Sequence, residues 1–302
     1  MIYIHCYQKT SVKWSRDLES GSFAGYEGFG ENVLKYSRDG AVYLNKKGEA
    51  VWNQAYEMTA PFASVSGNYA VVADKKGYSL YICNQDGCRG VVTTTLPISR
   101  AAVSSTGVTV AILEDTKSNV IAFYDKTGTK LEIEIQTTLS GNGYPMDLAI
   151  SPNGMLLMVS YVYLDAGSMQ NQVVFYNFDE EGQSIRDRLV GGFKEYGSSM
   201  VARVHFLDDT HAAAFAQDRL CFYSLENTVK PVQTAQVDID ADTEIRRNRV
   251  LFYRDSECRI YNLSGKLKYR GTMEGSIEKL ICLGENRYIQ IGPQAMMELE
   301  LK

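Results

Sequence analysis

The sequence predicts an all-β fold: a seven-bladed β-propeller of four-stranded antiparallel blades, closed by the N-terminal strand joining the C-terminal blade. Three observations carry this. Short apolar runs joined by Gly or polar turns recur along the whole chain. In the stretch Tyr36–Tyr56, Ala41–Asn45 and Glu49–Gln54 flank Lys46-Lys47-Gly48, a hairpin signal because Gly accepts the positive φ of a tight turn. Tyrosines at 43, 81, 124, 176, 223 and 261 hold matching places in successive copies, at a spacing of roughly 40–45 residues, the period of a four-stranded blade. The chain ends are complementary. Glu278–Leu283, Arg287–Ile291 and Ala295–Leu301 make three runs and lack a fourth. Val12–Leu18 supplies it, with Trp14 placed as Trp52 is in the first copy. Such closure removes open sheet edges.

Taken in order, the second copy holds Tyr69–Asp74, Ser79–Asn84 and Val91–Leu96. The third holds Val108–Glu114, Val120–Asp125, a turn at Gly128 and Lys130–Gln136. The fourth holds Met155–Leu164 and Gln172–Phe178, then a turn at Asp179–Gly182. The fifth holds His211–Gln217, Arg219–Leu225 and Val232–Ile239. The sixth holds Arg249–Arg254, Cys258–Leu263, a turn at Gly265 and Lys266–Gly271. A further run precedes several copies, as at Ala101–Ser104, Asp147–Ser151 and Ala202–Leu207, which brings each to four strands. The alanines of His211–Gln217 favour a helix locally, but the repeat requires a strand there. Gln183–Phe193 reads as a connection with room for a helical turn. No linker or composition shift divides the chain, so residues 1–302 read as one propeller domain.

Composition agrees with a packed β-fold: 302 residues, 45% hydrophobic, with 20 Tyr and only 6 Pro. A formal net charge of −5 argues against a nucleic-acid partner, which would call for a basic face. The segment Met1–Tyr7 is too short to span a bilayer and lacks the features of a signal peptide. The protein is then either cytoplasmic or carries a native anchor ahead of Met1. Of six cysteines, only Cys83 and Cys88 lie close in sequence, flanking Asn84-Gln85-Asp86-Gly87. Facing positions across a hairpin neck allow a disulfide, which would place the protein in an oxidising compartment. Two free thiols in a strand pair is the other reading. No CxxC or histidine pair marks a metal centre, and no cofactor is expected.

Hairpins such as GAVYLNKKGEAVW (Gly40–Trp52) resemble the repeat of the pyrroloquinoline-quinone-like propellers, where a Gly turn precedes a strand ending in Trp. The turn Ser151-Pro152-Asn153-Gly154 resembles one common in bacterial propellers. Over its whole length the chain is similar to a Clostridial family of propeller proteins of unknown function. That resemblance implies an extracytoplasmic propeller behind one N-terminal membrane segment. Trp occurs in two copies here, whereas quinone-binding members need it regularly together with metal ligands.

Catalytic patterns are missing from the sequence. There is no GxSxG elbow, and Gly28-Phe29-Gly30 reads as a turn because it lacks the third glycine and helix of a dinucleotide loop. Asp238-Ile239-Asp240-Ala241-Asp242 opens like a calcium loop, but Thr243 and Arg249 stand where Gly and Glu belong. His205 and His211 flank the turn at Asp208-Asp209 and read as a surface pair. Asn262-Leu263-Ser264 is a formal glycosylation sequon at a strand end. What remains is a set of charged residues leading into the innermost strands: Arg100, Asp147, Arg203, Glu244, Arg246 and Lys279. Gathered at one channel mouth, they form a candidate site for an anionic group such as a uronic acid or an acidic peptide. The ordinary alternative is a wet channel of mutually neutralised charges. The expected function is a monomeric, non-catalytic binding or scaffold module for a protein or saccharide partner. A lyase or hydrolase at the channel mouth and a soluble cytoplasmic scaffold are the alternatives.

Overall fold

The computed structural model describes residues 6–18, 24–236, 242–246, 249–262 and 266–302. Seven four-stranded antiparallel sheets follow one another around a central channel. The innermost strands, from the first blade to the seventh, are Ala24–Phe29, Pro61–Ser66, Ile98–Val103, Tyr144–Ile150, Val201–Phe206, Asp242–Arg246 and Lys279–Cys282. Three of these begin one to three residues before the runs read from sequence, so Arg100, Asp147 and Arg203 lie inside their strands and do not lead into them.

The seventh blade is closed as the chain ends predict. Thr10–Asp17 pairs antiparallel with Ala295–Leu301, from Thr10 opposite Leu301 to Asp17 opposite Ala295. Trp14 Nε1 donates to Glu298 Oε2 at 2.8 Å. Trp52 takes the equivalent outermost place in the first blade, stacks on Tyr43 and donates to the Gln85 carbonyl of the second blade at 3.0 Å.

Strand position explains the patterns in the sequence. Outermost strands alternate, as in Lys130–Thr137, because one face meets solvent. Second strands such as Thr109–Glu114 and Tyr69–Asp74 are almost wholly buried because each faces a neighbouring blade on both sides. Buried apolar side chains fall into seven clusters among the described residues, one at each seam between blades. His211–Ala216 is a strand, with Ala212, Ala213 and Ala214 fully buried against neighbouring blades, so packing overrides helix propensity. The connection after Asn177 carries two short 3-10 turns, Gly182–Ser184 and Arg186–Arg188, before the outer strand Leu189–Gly197. Cys83 and Cys88 face each other across the neck of their hairpin and are joined, with an S–S distance of 1.97 Å.

A candidate ligand site in the channel

Five of the seven innermost strands place a charged residue near mid-strand, Glu27, Arg100, Asp147, Arg203 and Glu244, and the innermost strand of the seventh blade begins on Lys279. The second blade offers Ala63 and Ser64 instead. In three consecutive blades the register slips by one residue next to the charge, leaving Ser99, Met146 and Ala202 without a direct partner. A bulge of this kind turns the following side chain away from the plain alternation of the strand. Here it sets the direction of Arg100, Asp147 and Arg203.

The charges knit blade to blade. Lys279 Nζ sits 2.9 Å from Glu27 Oε1 and 2.8 Å from Glu244 Oε2, so one ammonium ties the seventh blade to the first and the sixth. Arg100 Nε lies 3.5 Å from Asp147 Oδ1, and Asp147 Oδ2 accepts the Val204 backbone N–H at 2.9 Å. Arg203 donates to the Thr243 carbonyl and lies over the Phe215 ring, 5.0 Å from its centroid. Arg246 reaches past the seventh blade to the Gly30 carbonyl of the first. Gly28 permits this, since a Cβ there would overlap the Arg246 guanidinium.

Burial shapes the protonation of the ring. It pushes the Asp147 carboxyl up to about 6, against the pull of the Val204 N–H, Arg100 and Arg203. It pushes His205 down to about 4, against the attraction of Glu244, so the imidazole is neutral at pH 7. Burial and the charge of Glu244 hold the Glu27 carboxyl above the usual range despite Lys279. For Glu244, burial acts upward, but Lys279 and Arg203 outweigh it and the carboxyl lies below its ordinary value. Lys279 is held well above its ordinary value: burial opposes the charge, and the Glu244 and Glu27 carboxylates overcome that.

Above this floor a cavity of about 600 Å³ opens toward the C-terminal ends of the innermost strands. Its rim is tied together across blades. Ser105 Oγ donates to the Pro152 carbonyl at 2.6 Å, and Asp209 accepts the Asn153 N–H at 2.7 Å. The SPNG turn read from sequence is therefore part of the rim. All six charged residues singled out from sequence line the cavity. Glu27, which the sequence did not single out, and His205, read from sequence as a surface residue, join them. Glu27 was hidden by glycines: Gly28-Phe29 is strand, and only Gly30 turns. His205 faces the channel while His211 turns to Asp208, 3.0 Å away, so the two histidines do not form a pair. The Asp238–Asp242 acids, apart from Asp242, and Leu263-Ser264 of the sequon lie outside the described residues. Among the described residues no cluster of acidic, His and Cys side chains could hold a metal.

The sequence profile of a family of unknown function, DUF5711, matches residues 3–249 and 233–301. The chain belongs to that family. No curated protein matches it. Among solved structures, this family member is similar to hydrazine synthase of Kuenenia stuttgartiensis, with a TM-score of 0.59 at 10% identity over 87% of this chain and 90% of that one. It is similar to BamB from Moraxella catarrhalis, with a TM-score of 0.55 at 11% identity over 97% and 100%. It is also similar to the WD40 domain of Toxoplasma gondii coronin, with a TM-score of 0.59 at 11% identity over 98% and 88%. At these identities the likeness shows the propeller fold alone.

Proposed function

We propose that this DUF5711 protein is a non-catalytic binding module that receives an anionic group of a protein or saccharide partner at the channel mouth. One observation carries the reading. The three carboxylates that line the cavity are each held within the ring, Asp147 beside Arg100, and Glu27 and Glu244 on Lys279. Arg203 makes no ion pair among the described residues; its partners are a carbonyl and an aromatic face. A guanidinium so placed, open to solvent at the channel, keeps donors for an incoming carboxylate. The module works outside the cytoplasm, as the exposed part of a membrane-anchored protein. The resemblance to the Clostridial propeller family and the Cys83–Cys88 bridge support this placement.

The test is a binding screen of anionic glycans and acidic peptides against the parent and Arg203→Ala. Hits that weaken at least tenfold in the variant support the reading. A variant that binds every member as the parent does defeats it. One feature favours a hydrolase or lyase as second reading: Glu27 and Glu244 share Lys279 while their carboxyls are driven in opposite directions. Turnover of a bound saccharide that disappears in Glu27→Gln would establish that reading instead.

A further inference from the structure

We propose that the anion site of the channel is opened by a proton on Asp147. With that carboxyl neutral, Arg100 and Arg203 hold one anion between the third and fifth blades. With it ionised, the carboxylate occupies Arg100 and repels the guest. This rests on the reading of the channel as an anion site and names the regulation of that site.

Asp147 is compensated less well than the other two carboxylates of the ring. Glu27 and Glu244 lie 2.9 and 2.8 Å from the Lys279 ammonium. Asp147 meets Arg100 Nε at 3.5 Å, beyond ordinary hydrogen-bond range, and that arginine also donates to the Ser99 carbonyl at 3.0 Å. The other Asp147 oxygen accepts the Val204 N–H at 2.9 Å, on the strand that carries Arg203. The carboxylate is thus seated between an arginine of the blade before it and one of the blade after it. It lines the cavity, with the side chain 15% exposed. An anion drawn to the solvent-open Arg203 meets this negative charge as well, and the repulsion offsets part of the attraction.

A proton removes the charge and leaves the chain where it is, because a neutral carboxyl still offers an oxygen to the Val204 N–H. Arg100 then loses its ion-pair partner. Two guanidinium groups flank the fourth blade without a carboxylate between them, and a guest anion takes its place. Burial pushes the Asp147 carboxyl up to about 6, so the change falls in mild acid. The groups around it keep their charge there. His205 is held down at about 4, and Tyr144, which donates to Glu114 from the start of the same strand, is raised to about 12. Glu27, also raised by burial, sits on Lys279 three blades away. The neutral form binds the anion better, so binding takes up a proton, and affinity rises as pH falls through about 6.

The experiment is isothermal titration calorimetry of the whole protein with digalacturonic acid and with inorganic sulfate, both ionised from pH 5 to 8. Cationic buffers keep competing anions low. Bis-tris and imidazole, which differ in ionisation enthalpy, report the protons taken up at pH 6.5. The parent should bind about tenfold tighter at pH 5 than at pH 8, with net proton uptake at pH 6.5. Asp147→Asn keeps the acceptor for the Val204 N–H and should bind at pH 8 as tightly as the parent does at pH 5, without proton uptake. Arg100→Gln should lose most of the acid gain, and His205→Phe should keep it. Circular dichroism melts at each pH confirm that the variants fold, and the proton uptake of the parent decides the matter without them. Binding with one affinity at every pH and no proton uptake overturns the proposal, yet leaves the channel standing as an anion site. So does an acid gain that survives in Asp147→Asn. Failure of both probes to bind at any pH removes the anion reading and the proposal together.

Discussion

At the residue scale, Lys279 is the side chain whose loss should be felt most. Its ammonium lies between two carboxylates, and all three side chains are at most about a fifth exposed. Removing one partner of a buried ion group leaves charge uncompensated, at a cost of about 3–5 kcal/mol. Lys279→Met should lower stability by that order in urea unfolding, and adding Glu27→Gln should recover part of it. Asp147 and His205 give a second prediction. Asp147 is raised to about 6, so the folded protein holds a proton the unfolded chain has lost, and its term makes stability fall as pH rises from about 4 to 6. His205 is lowered to about 4, so the unfolded chain holds the extra proton there, and its term makes stability rise over the same interval. The two nearly cancel. Asp147→Asn should expose the His205 slope, with stability rising from pH 4 to 6, and His205→Phe should expose the opposite slope. Matching pH profiles for both variants and the parent would refute the assignment. The six charges were legible because each lies in or beside the short apolar run that opens its copy. Glu27 escaped because glycines on both sides made its strand look like a turn.

At the element scale, the first strand is the clasp. Without Thr10–Asp17, the strand Ala295–Leu301 becomes an open edge and Trp14 leaves Glu298. Deleting residues 1–18 should lower the melting temperature sharply and promote association, measurable by calorimetry and light scattering. An unchanged melting temperature would contradict the closure. The outer hairpin of the second blade, Ser79–Asn84 with Gly87–Thr93, carries the cysteine pair. Thiol titration of the denatured, unreduced protein should find four reactive groups, Cys6, Cys221, Cys258 and Cys282, and six after reduction. Strand identity was readable wherever a run was long and aromatic. Strand starts were not, because the bulges at Ser99, Met146 and Ala202 add a residue that carries no periodic signal of its own.

At the scale of the whole molecule, the ring of charges and the seven apolar seams do different work. The seams hold neighbouring blades face to face. The charges link the third blade through the fourth, fifth, sixth and seventh to the first, and pass over the second. Gly28→Ala, which drives a methyl into the space of Arg246, should therefore loosen the link from sixth blade to first, at a cost of about 1–3 kcal/mol. Hydrogen exchange should then quicken along Ala24–Phe29 and Asp242–Arg246 before the outer strands. Unchanged exchange there would show that Arg246 makes no mechanical link. The repeat period made the ring count legible, since blades are built alike. Which charges meet across the channel was not, because those pairings join residues as far apart as Glu27 and Lys279.

The three bulges also bear on how such a protein diversifies. In a plain strand, a change in what faces the channel is tied to what faces the neighbouring blade, because both are fixed by one alternation. An extra residue at Ser99, Met146 or Ala202 breaks that tie locally. The strand can then change its channel-facing residue while its packing face stays as it was. Three adjacent blades are equipped in this way, so a lineage could acquire a new ligand by substitution at three positions, with the apolar seams left under unchanged selection.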